Sequence, residues 1–554
     1  MSFRNWSTLG GLAIAAAVCW FSGRMELTDH QSWTAAVTVL CMIWWVCESI
    51  PAAATATLPL VVLPLSGVLS EREVAAAYGD PVILLFMGAF MASTAVERWG
   101  AHRRIAHAIV ANIGNTSGPR ILLAMMLTTL VCHFGVNNTA VALMMTPVAL
   151  AIVERDATGK LAVPLVLGVA YCASIGGIMT PISTAPNGIF QAVYKELAGH
   201  TIPFYKWMIV GGVTALFMAF ATWAVLAWGI RGVPSVQMET EGEWTTPQRR
   251  TLFVCGLAAI GWITRDIPYG GWQQWVPKVA GKPAAGDMTV AICAALLMFL
   301  IPSGERRESG ERCDSRLLDW KTAATIPWGV LVLFGGGIAI AKAFEASELS
   351  KVVGQAVYGI QDWPPVLLIG VLCLAVTFLS EFTSNTATTA ILMPILGAAA
   401  KSNGMDPALL MFPATLANSL AFMMPVGTPP NAIAYGTGRV RIINMVRYGF
   451  VLNLIGVIIV TLVCWQLLPL VLGVSVGSRS ADSTLNKTES SFSDKTSAQT
   501  TGEAEDLRST REIDTRRRGT RTRDAKKSES TRPETTGRVP VLSLDGQGQL
   551  GVRP

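Results

Sequence analysis

The stretch PVLLIGVLCLAVTFLSEFTSNTATTAILMPILGAAA, residues 365–400, decides the fold. Two apolar arms, Pro365–Leu379 and Ala387–Ala400, flank the polar cluster Ser384-Asn385-Thr386. Each arm is about 12–16 residues, and at about 1.5 Å per residue it reaches roughly two-thirds of the way across a hydrocarbon core about 30 Å thick. Such arms make a re-entrant hairpin whose polar tip lies near the midplane. Lipid cannot satisfy the backbone groups freed at that depth, so the tip must be buried in protein or face a watery cavity.

The same design occurs earlier in the chain. Ile121–Cys132 leads to Asn137-Asn138-Thr139 and on to Ala140–Val153. Further markers repeat around the two tips. Pro81 through Gly88 is echoed by Pro327 through Gly335, and Thr184-Ala185-Pro186-Asn187 by Thr428-Pro429-Pro430-Asn431, in the same order and at similar offsets. Paired interruptions in corresponding places of two hydrophobic halves point to a secondary transporter with its site between the repeats. Hydropathy leaves open whether those repeats are parallel or inverted.

Composition agrees with a membrane body. Of 554 residues 51% are hydrophobic and 14% charged, with a mean hydropathy of +0.45, whereas soluble domains carry about 25% charge. The net charge is +6, from 43 basic and 37 acidic residues, but the first 477 residues hold 28 of the former against 25 of the latter. A nucleic-acid-binding protein is thereby excluded. The ten Cys stand singly in apolar segments, which supports neither a zinc site nor a disulfide framework. No HExxH and no nucleophile–base pair falls within the spans, so an intramembrane hydrolase is not expected.

Arg4 precedes a first apolar stretch, Leu9 to Ser22, without a small-residue cleavage site, and the stretch reads as a retained helix. Apolar runs come next at about 34–47, 51–69, 82–96, 162–182, 207–230, 251–263, 287–301, 327–344, 408–426 and 449–473. The expected fold is an all-α polytopic membrane protein of about eleven transmembrane helices with two re-entrant hairpins. Its segments are N-terminal helices at 1–50, a first repeat at 51–230, connecting loops and helices at 231–320, a second repeat at 321–476, and a disordered basic Ser/Thr-rich tail at 477–554.

The chemistry expected at the breaks comes from helix ends. Where one short helix stops and another starts, partly negative carbonyls and partly positive amides are exposed side by side. Oxygens of Asn137, Asn138, Ser384 and Asn385 suit a small alkali cation, and the amides and hydroxyls of Thr139, Thr184, Thr386 and Thr428 suit an oxyanion. Pro186, Pro429 and Pro430 stop a helix from running through the break. Fixed charge is nearly absent from these motifs, so an anion would be neutralised by a co-bound cation and by helix dipoles. Glu48 and Glu381 are the acidic residues closest to the apolar runs, and both are expected to hydrogen-bond backbone beside a break. His133, on the first hairpin arm, is expected to be a packed or hydrogen-bonded side chain.

These motifs together, with Trp44-Trp45-Val46-Cys47-Glu48-Ser49-Ile50-Pro51 and Ile326-Pro327-Trp328-Gly329, resemble the divalent anion/sodium symporter family of dicarboxylate, citrate and sulfate carriers. The likeness spans roughly Trp44 to Leu472. It implies an inverted repeat with a scaffold and a moving transport domain, elevator-type alternating access, a homodimer in the plasma membrane, and sodium ions as co-transported cations. It implies a second-half sodium site at Ser380, Thr383, Asn385 and Gly427. The first-half positions fall on His133, Asn137, Asn138 and Ser183, where members commonly carry Ser, Ser or Asn, Asn and Gly. His133 and Ser183 therefore depart from the pattern. The substrate positions implied are Asn138, Thr139, Thr184, Ser384, Asn385, Thr386, Thr428 and Pro429. The expected function is sodium-coupled import of a small dicarboxylate such as succinate, malate or fumarate. A sodium-independent dicarboxylate exchanger and a sulfate carrier are the alternatives on the same fold.

Overall fold

Apolar runs interrupted by proline, glycine and asparagine become a body of helices that are mostly short. The computed structural model describes residues 3–22, 27–101, 104–105, 109, 117–133, 136–230, 244–266, 270–305, 315–356, 363–425 and 427–474. The expected tail at 477–554 lies outside these residues. The described chain is mostly helical, with one two-residue antiparallel ribbon pairing Lys278–Val279 with Lys282–Pro283.

The helices of the first half are α1 (Phe3–Ser22), α2 (Asp29–Val46), α3 (Ala52–Thr55), α4 (Leu58–Leu65), α5 (Glu71–Tyr78), α6 (Pro81–Arg98), α7 (Gly118–Cys132), α8 (Asn138–Glu154), α9 (Ala162–Gly177), α10 (Ala185–Ala198) and α11 (Phe204–Ala227). Then come α12 (Thr246–Ile263), α13 (Asp287–Leu300), α14 (Trp320–Ala323), α15 (Trp328–Ala346) and α16 (Leu349–Ala356). The second half ends with α17 (Pro365–Ser380), α18 (Asn385–Ser402), α19 (Ala408–Asn418), α20 (Pro429–Gly436) and α21 (Ile442–Leu467). Among the described residues four helical stretches are long and apolar enough to cross a membrane: Glu71–Arg98, Phe204–Ile230, Trp328–Ala346 and Ile442–Leu472. The other apolar helices are shorter, because the sequence stops them.

Residues 51–69, one apolar run in the sequence, are two helices. Pro59 has no amide to offer the Thr55 carbonyl, which faces Cys41 Sγ at 4.0 Å instead. Runs 162–182 and 408–426 likewise stop short, at Gly177 and Asn418. Five helices the apolar runs did not announce, α5, α10, α14, α16 and α20, are amphipathic or very short pieces between them.

The element order repeats, and so does the packing. In the first half α7 and α8 both pack on α9, and α7 and α9 both pack on α11; in the second, α17 and α18 pack on α19, and α17 and α19 on α21. The halves also interlock, since α8 packs on α20 and, reciprocally, α18 on α10. Phe86 of α6 and its echo Phe334 of α15 meet edge to face at 5.0 Å. Both rings close on Gly188 of α10, where a Cβ would lie 2.5 Å from Phe86 Cζ. Phe190, Trp207 and Phe412 form a second aromatic knot across the halves, with centroids 4.6–5.5 Å apart.

The outer surface is apolar. On α11, Leu216, Phe217 and Phe220 are exposed while Thr214, Met218 and Thr222 are buried, the inside-out distribution of a helix solvated by lipid.

Candidate functional site

Each polar tip falls where a helix ends a few residues before the next begins. In the first, α7 stops at Cys132 and α8 starts at Asn138; in the second, α17 stops at Ser380 and α18 starts at Asn385. Asn137 caps α8, its Oδ1 accepting the Ala140 amide at 3.0 Å. Ser384 holds the same place before α18 but makes no capping bond. Its hydroxyl is left for other partners. Ser384 and Thr386 line a cavity of about 520 Å³ whose walls include Arg4, Glu48, Pro51 and Pro327. Two charged side chains therefore line the same cavity as the second tip, although the motifs themselves carry almost none. Arg4 Nε donates to the Glu48 carbonyl at 3.3 Å. Glu48 thus engages through its backbone, with a positive φ of 46°.

The second break of each half is built by one repeated device. Thr184 and Thr428 precede α10 and α20 with nearly the same extended backbone, φ −143° and ψ 150° against φ −145° and ψ 142°. Behind them Asn187 Nδ2 donates to the carbonyls of Gly177 and Thr180, both at 2.8 Å. Asn431 Nδ2 donates to those of Ala421 and Met424 at 3.1 and 3.0 Å. Both carboxamides thus reach ten and seven residues back, fastening the loop that separates two helices. Either Asn187→Ala or Asn431→Ala strands two buried carbonyls, and each is expected to cost about 1–3 kcal/mol. Thermal unfolding of the two variants should show similar losses, and an unchanged Tm would refute the fastening role.

The structure brings several sequence-predicted residues together. Asn138 Nδ2 donates to Thr184 Oγ1 at 3.4 Å, joining tip to break within the first half. Across the halves, Thr428 Oγ1 lies 3.3 Å from Ser174 Oγ of α9. Ser183 Oγ donates to the His133 carbonyl at 2.8 Å, and at the corresponding place Gly427 backs onto Ser380, where a Cβ would lie 2.9 Å from the Ser380 carbonyl oxygen. Ser380 Oγ donates to the Thr377 carbonyl at 2.8 Å, leaving its lone pairs free. Thr383 Oγ1 lies 2.6 Å from Thr388 Oγ1. Thr139 and Thr386 are half-buried beside the tips, Thr428 is buried and Pro429 exposed. The two tips line different cavities: His133, Asn137 and Ser183 border a chamber of about 40 Å³ against α6, α12 and α13.

Asn138 Oδ1 and Asn385 Oδ1 occupy corresponding places, are both buried, and neither has a partner at hydrogen-bonding distance among the described residues, although the Asn138 carboxamide stands beside the His133 ring. The oxygens of Asn187, Asn418 and Asn431 are also buried without a partner, but the Nδ2 groups of those three are spent on backbone carbonyls, so the tip pair is set apart by its position. Two at matched tips fit a cation or a donor-bearing substrate. In the second half the surrounding donors are hydroxyl and carbonyl oxygens, the set a hard cation prefers.

Several residues of the site carry no signal in the sequence. Asn418 Nδ2 donates to the Asn385 carbonyl at 2.6 Å and to Thr389 Oγ1 at 2.7 Å, fixing the first turn of α18. Ser174 and Asn453 also belong to it, and their partners are remote in the chain. Glu381, expected to bond backbone beside a break, accepts the amides of Phe422, Met423 and Met424, in the loop that leads to Thr428.

A helical membrane body with matched interruptions in two interlocked halves defines a multi-pass membrane transporter, not an enzyme. Residues 3–471 match the sodium:sulfate symporter transmembrane region, and the chain belongs to that family. It is 36% identical over 473 residues to the sodium-dependent dicarboxylate transporter SdcS of Staphylococcus saprophyticus, covering 81% of this chain and 89% of that protein. It is 37% identical over 465 residues to the SdcS of Staphylococcus aureus strain MRSA252, covering 80% and 86% respectively. Among solved structures, MtrF of Neisseria gonorrhoeae, described in a class of antimetabolite efflux pumps, has a similar fold, with a TM-score of 0.52 at 13% identity over 82% of this chain and 97% of that one.

Proposed function

We propose that this chain imports small divalent organic anions of the succinate, malate and fumarate type, driven by sodium. The observation that carries the reading is the pair of unpartnered carboxamide oxygens at Asn138 and Asn385, at matched tips in a chain of the sodium:sulfate symporter family. The relatives named sodium-dependent dicarboxylate transporters supply the substrate class.

In this reading Ser380, Thr383, Asn385 and Gly427 hold a sodium ion. Asn138, Thr139, Thr184, Ser384, Asn385, Thr386, Thr428 and Pro429 receive the dicarboxylate. Sodium bound beside the helix N-termini supplies the positive charge that the motifs lack, so the anion binds well only after the cation. That order is the coupling. The broken helix pairs α7–α8 and α17–α18 act as re-entrant hairpins in an inverted repeat, with the first repeat at 51–230 and the second at 321–476. The hairpins belong to a transport domain that moves as an elevator against a scaffold in a homodimer.

The test is uptake of labelled succinate into proteoliposomes with an inward sodium gradient, with and without internal dicarboxylate. Accumulation that needs the gradient and no internal anion is expected, and it should be inhibited by malate and fumarate. Uptake that ignores sodium and requires internal anion would replace import by exchange. The family description favours sulfate as a second substrate. Strong inhibition by sulfate with none by malate would make the chain an inorganic anion carrier instead.

A further inference from the structure

The internal repeat allows the two tips to be compared within one molecule. Aligning Asn138 with Asn385 pairs His133 with Ser380, Val136 with Thr383 and Asn137 with Ser384, and aligning the second breaks pairs Ser183 with Gly427. In the second half this set points oxygens inward. Ser380 Oγ keeps its lone pairs, no side chain at Gly427 covers the Ser380 carbonyl, and Asn385 Oδ1 is unpartnered.

The first half differs at every one of these points but the asparagine. The Ser183 hydroxyl donates to the His133 carbonyl at 2.8 Å, placing a hydrogen on the oxygen that corresponds to the open Ser380 carbonyl. Because that hydroxyl donates there, the Thr180 hydroxyl, 2.5 Å away, donates to Ser183 Oγ and occupies a lone pair. The imidazole of His133 stands where Ser380 has its hydroxyl. Its Nδ1 donates to the Thr129 carbonyl at 2.8 Å, so no lone pair remains on that nitrogen. The ring is packed against α9, where a Cβ on Gly176 would lie 2.5 Å from Nδ1. Val136 is buried and offers no side-chain oxygen where Thr383 has a hydroxyl, although that hydroxyl itself donates to the Leu379 carbonyl at 2.9 Å and receives from Thr388 Oγ1, so the contrast between the halves rests on Ser380, Gly427 and Asn385. The Asn137 oxygen is committed to capping α8. Among the described side chains what remains is one carboxamide oxygen, of Asn138, and one imidazole nitrogen, Nε2 of His133; neither has a partner at hydrogen-bonding distance, and the Asn138 carboxamide stands beside the His133 ring.

Hard cations are held by several oxygen donors, and the described side chains of the first half offer two free atoms, one of them nitrogen, so backbone carbonyls would have to supply nearly the whole shell. We infer that the first half of this chain holds no sodium ion, its donor set being closed by the Ser183 hydroxyl and the His133 ring, so that among the two repeats sodium binds at the second alone. The inference rests on the sodium coupling proposed above. It makes the carrier less concentrative than one with a cation in each repeat, since each co-transported sodium multiplies the attainable gradient of substrate.

The full-length protein in lipid nanodiscs tests this through its melting temperature, with sodium chloride titrated against potassium chloride at constant ionic strength. Each site that binds only the folded protein raises stability with the logarithm of sodium concentration once saturated, so the limiting slope counts ions. The expected results are a sodium slope in the wild type that Asn385→Ala flattens, and a roughly doubled slope in the variant carrying His133→Ser with Ser183→Gly. A slope that persists in Asn385→Ala and is then removed by Asn138→Ala would overturn the inference. So would a doubly substituted protein that melts normally in potassium yet gains no slope. If that variant does not fold, the Asn385→Ala and Asn138→Ala pair decides alone. A wild type with no sodium slope would instead sink the sodium coupling, and the double substitution would still report whether the first half had been closed.

Discussion

Glu381→Ala is expected to leave little folded protein in the membrane. The Glu381 carboxylate is 1% exposed and receives four donors. Oε1 accepts the Phe422 amide at 2.7 Å and the Asn453 carboxamide at 2.5 Å. Met423 donates to both oxygens, at 2.9 and 3.0 Å, and Met424 to Oε2 at 2.9 Å. One side chain thus satisfies three successive amides of the loop between α19 and α20, which no helix or sheet satisfies. Bonds to a charged group are worth about 1.5–3 kcal/mol each, and stranded buried donors cost more than exposed ones. Losing the shared acceptor should cost at least about 4 kcal/mol, a large part of the roughly 5–15 kcal/mol that holds a typical domain together. Glu381→Gln keeps the shape but turns an NH2 toward an N–H, so it should fall between the wild type and Glu381→Ala. Size-exclusion profiles and melting curves of the three proteins check the order. A Glu381→Ala protein that is monodisperse and melts like the wild type would show that the loop does not depend on this carboxylate.

That outcome bears on what a sequence can reveal. The positions of the breaks are legible because polar clusters and prolines interrupt apolar runs, and lipid gives such interruptions few explanations. Asn138 and Asn385, Thr184 and Thr428, and the repetition of the pattern all come from that. Glu381 is legible in kind, as a carboxylate beside a break, but not in its partners, which lie 41–43 residues away for the three amides and 72 for Asn453. Asn418 and Ser174 are invisible for the same reason, since nothing local distinguishes them from other polar residues on buried helices. Asn187 and Asn431 stand inside the repeated motifs, yet their function as fasteners needs the three-dimensional course of the loop. Arg4 stands out in the sequence only as a charge ahead of the first apolar stretch, whereas in the fold it lines a cavity with Ser384. The split of 51–69 into α3 and α4 is written in Pro59. Hydropathy hides it, because averaging passes over a proline that breaks the backbone ladder without lowering the apolar count.

Asn385→Ala should separate function from folding. Its Oδ1 has no hydrogen-bond partner among the described residues, so truncation at Cβ breaks no bond the side-chain oxygen makes. The bond that holds this residue in place runs from Asn418 Nδ2 to its backbone carbonyl, which alanine retains. Alanine also favours the first turn of a helix. The folding cost should therefore stay within about 1 kcal/mol. Transport should not survive. The same oxygen is assigned to the sodium ion and lies beside the dicarboxylate, and contacts with charged partners are worth about 1.5–3 kcal/mol each. Losing both predicts a fall of about 100-fold or more in sodium-driven uptake, since each 1.4 kcal/mol is a factor of about ten. Asn418→Ala supplies the contrast. It removes two bonds from buried groups, so it should lower Tm while retaining sodium dependence in whatever protein remains folded. Uptake and melting measured on the same preparations distinguish the two. Near-normal sodium-driven uptake in Asn385→Ala would remove the second tip from the transport pathway. A collapse of its melting temperature would make the residue a structural one, whose free oxygen reports nothing about a ligand.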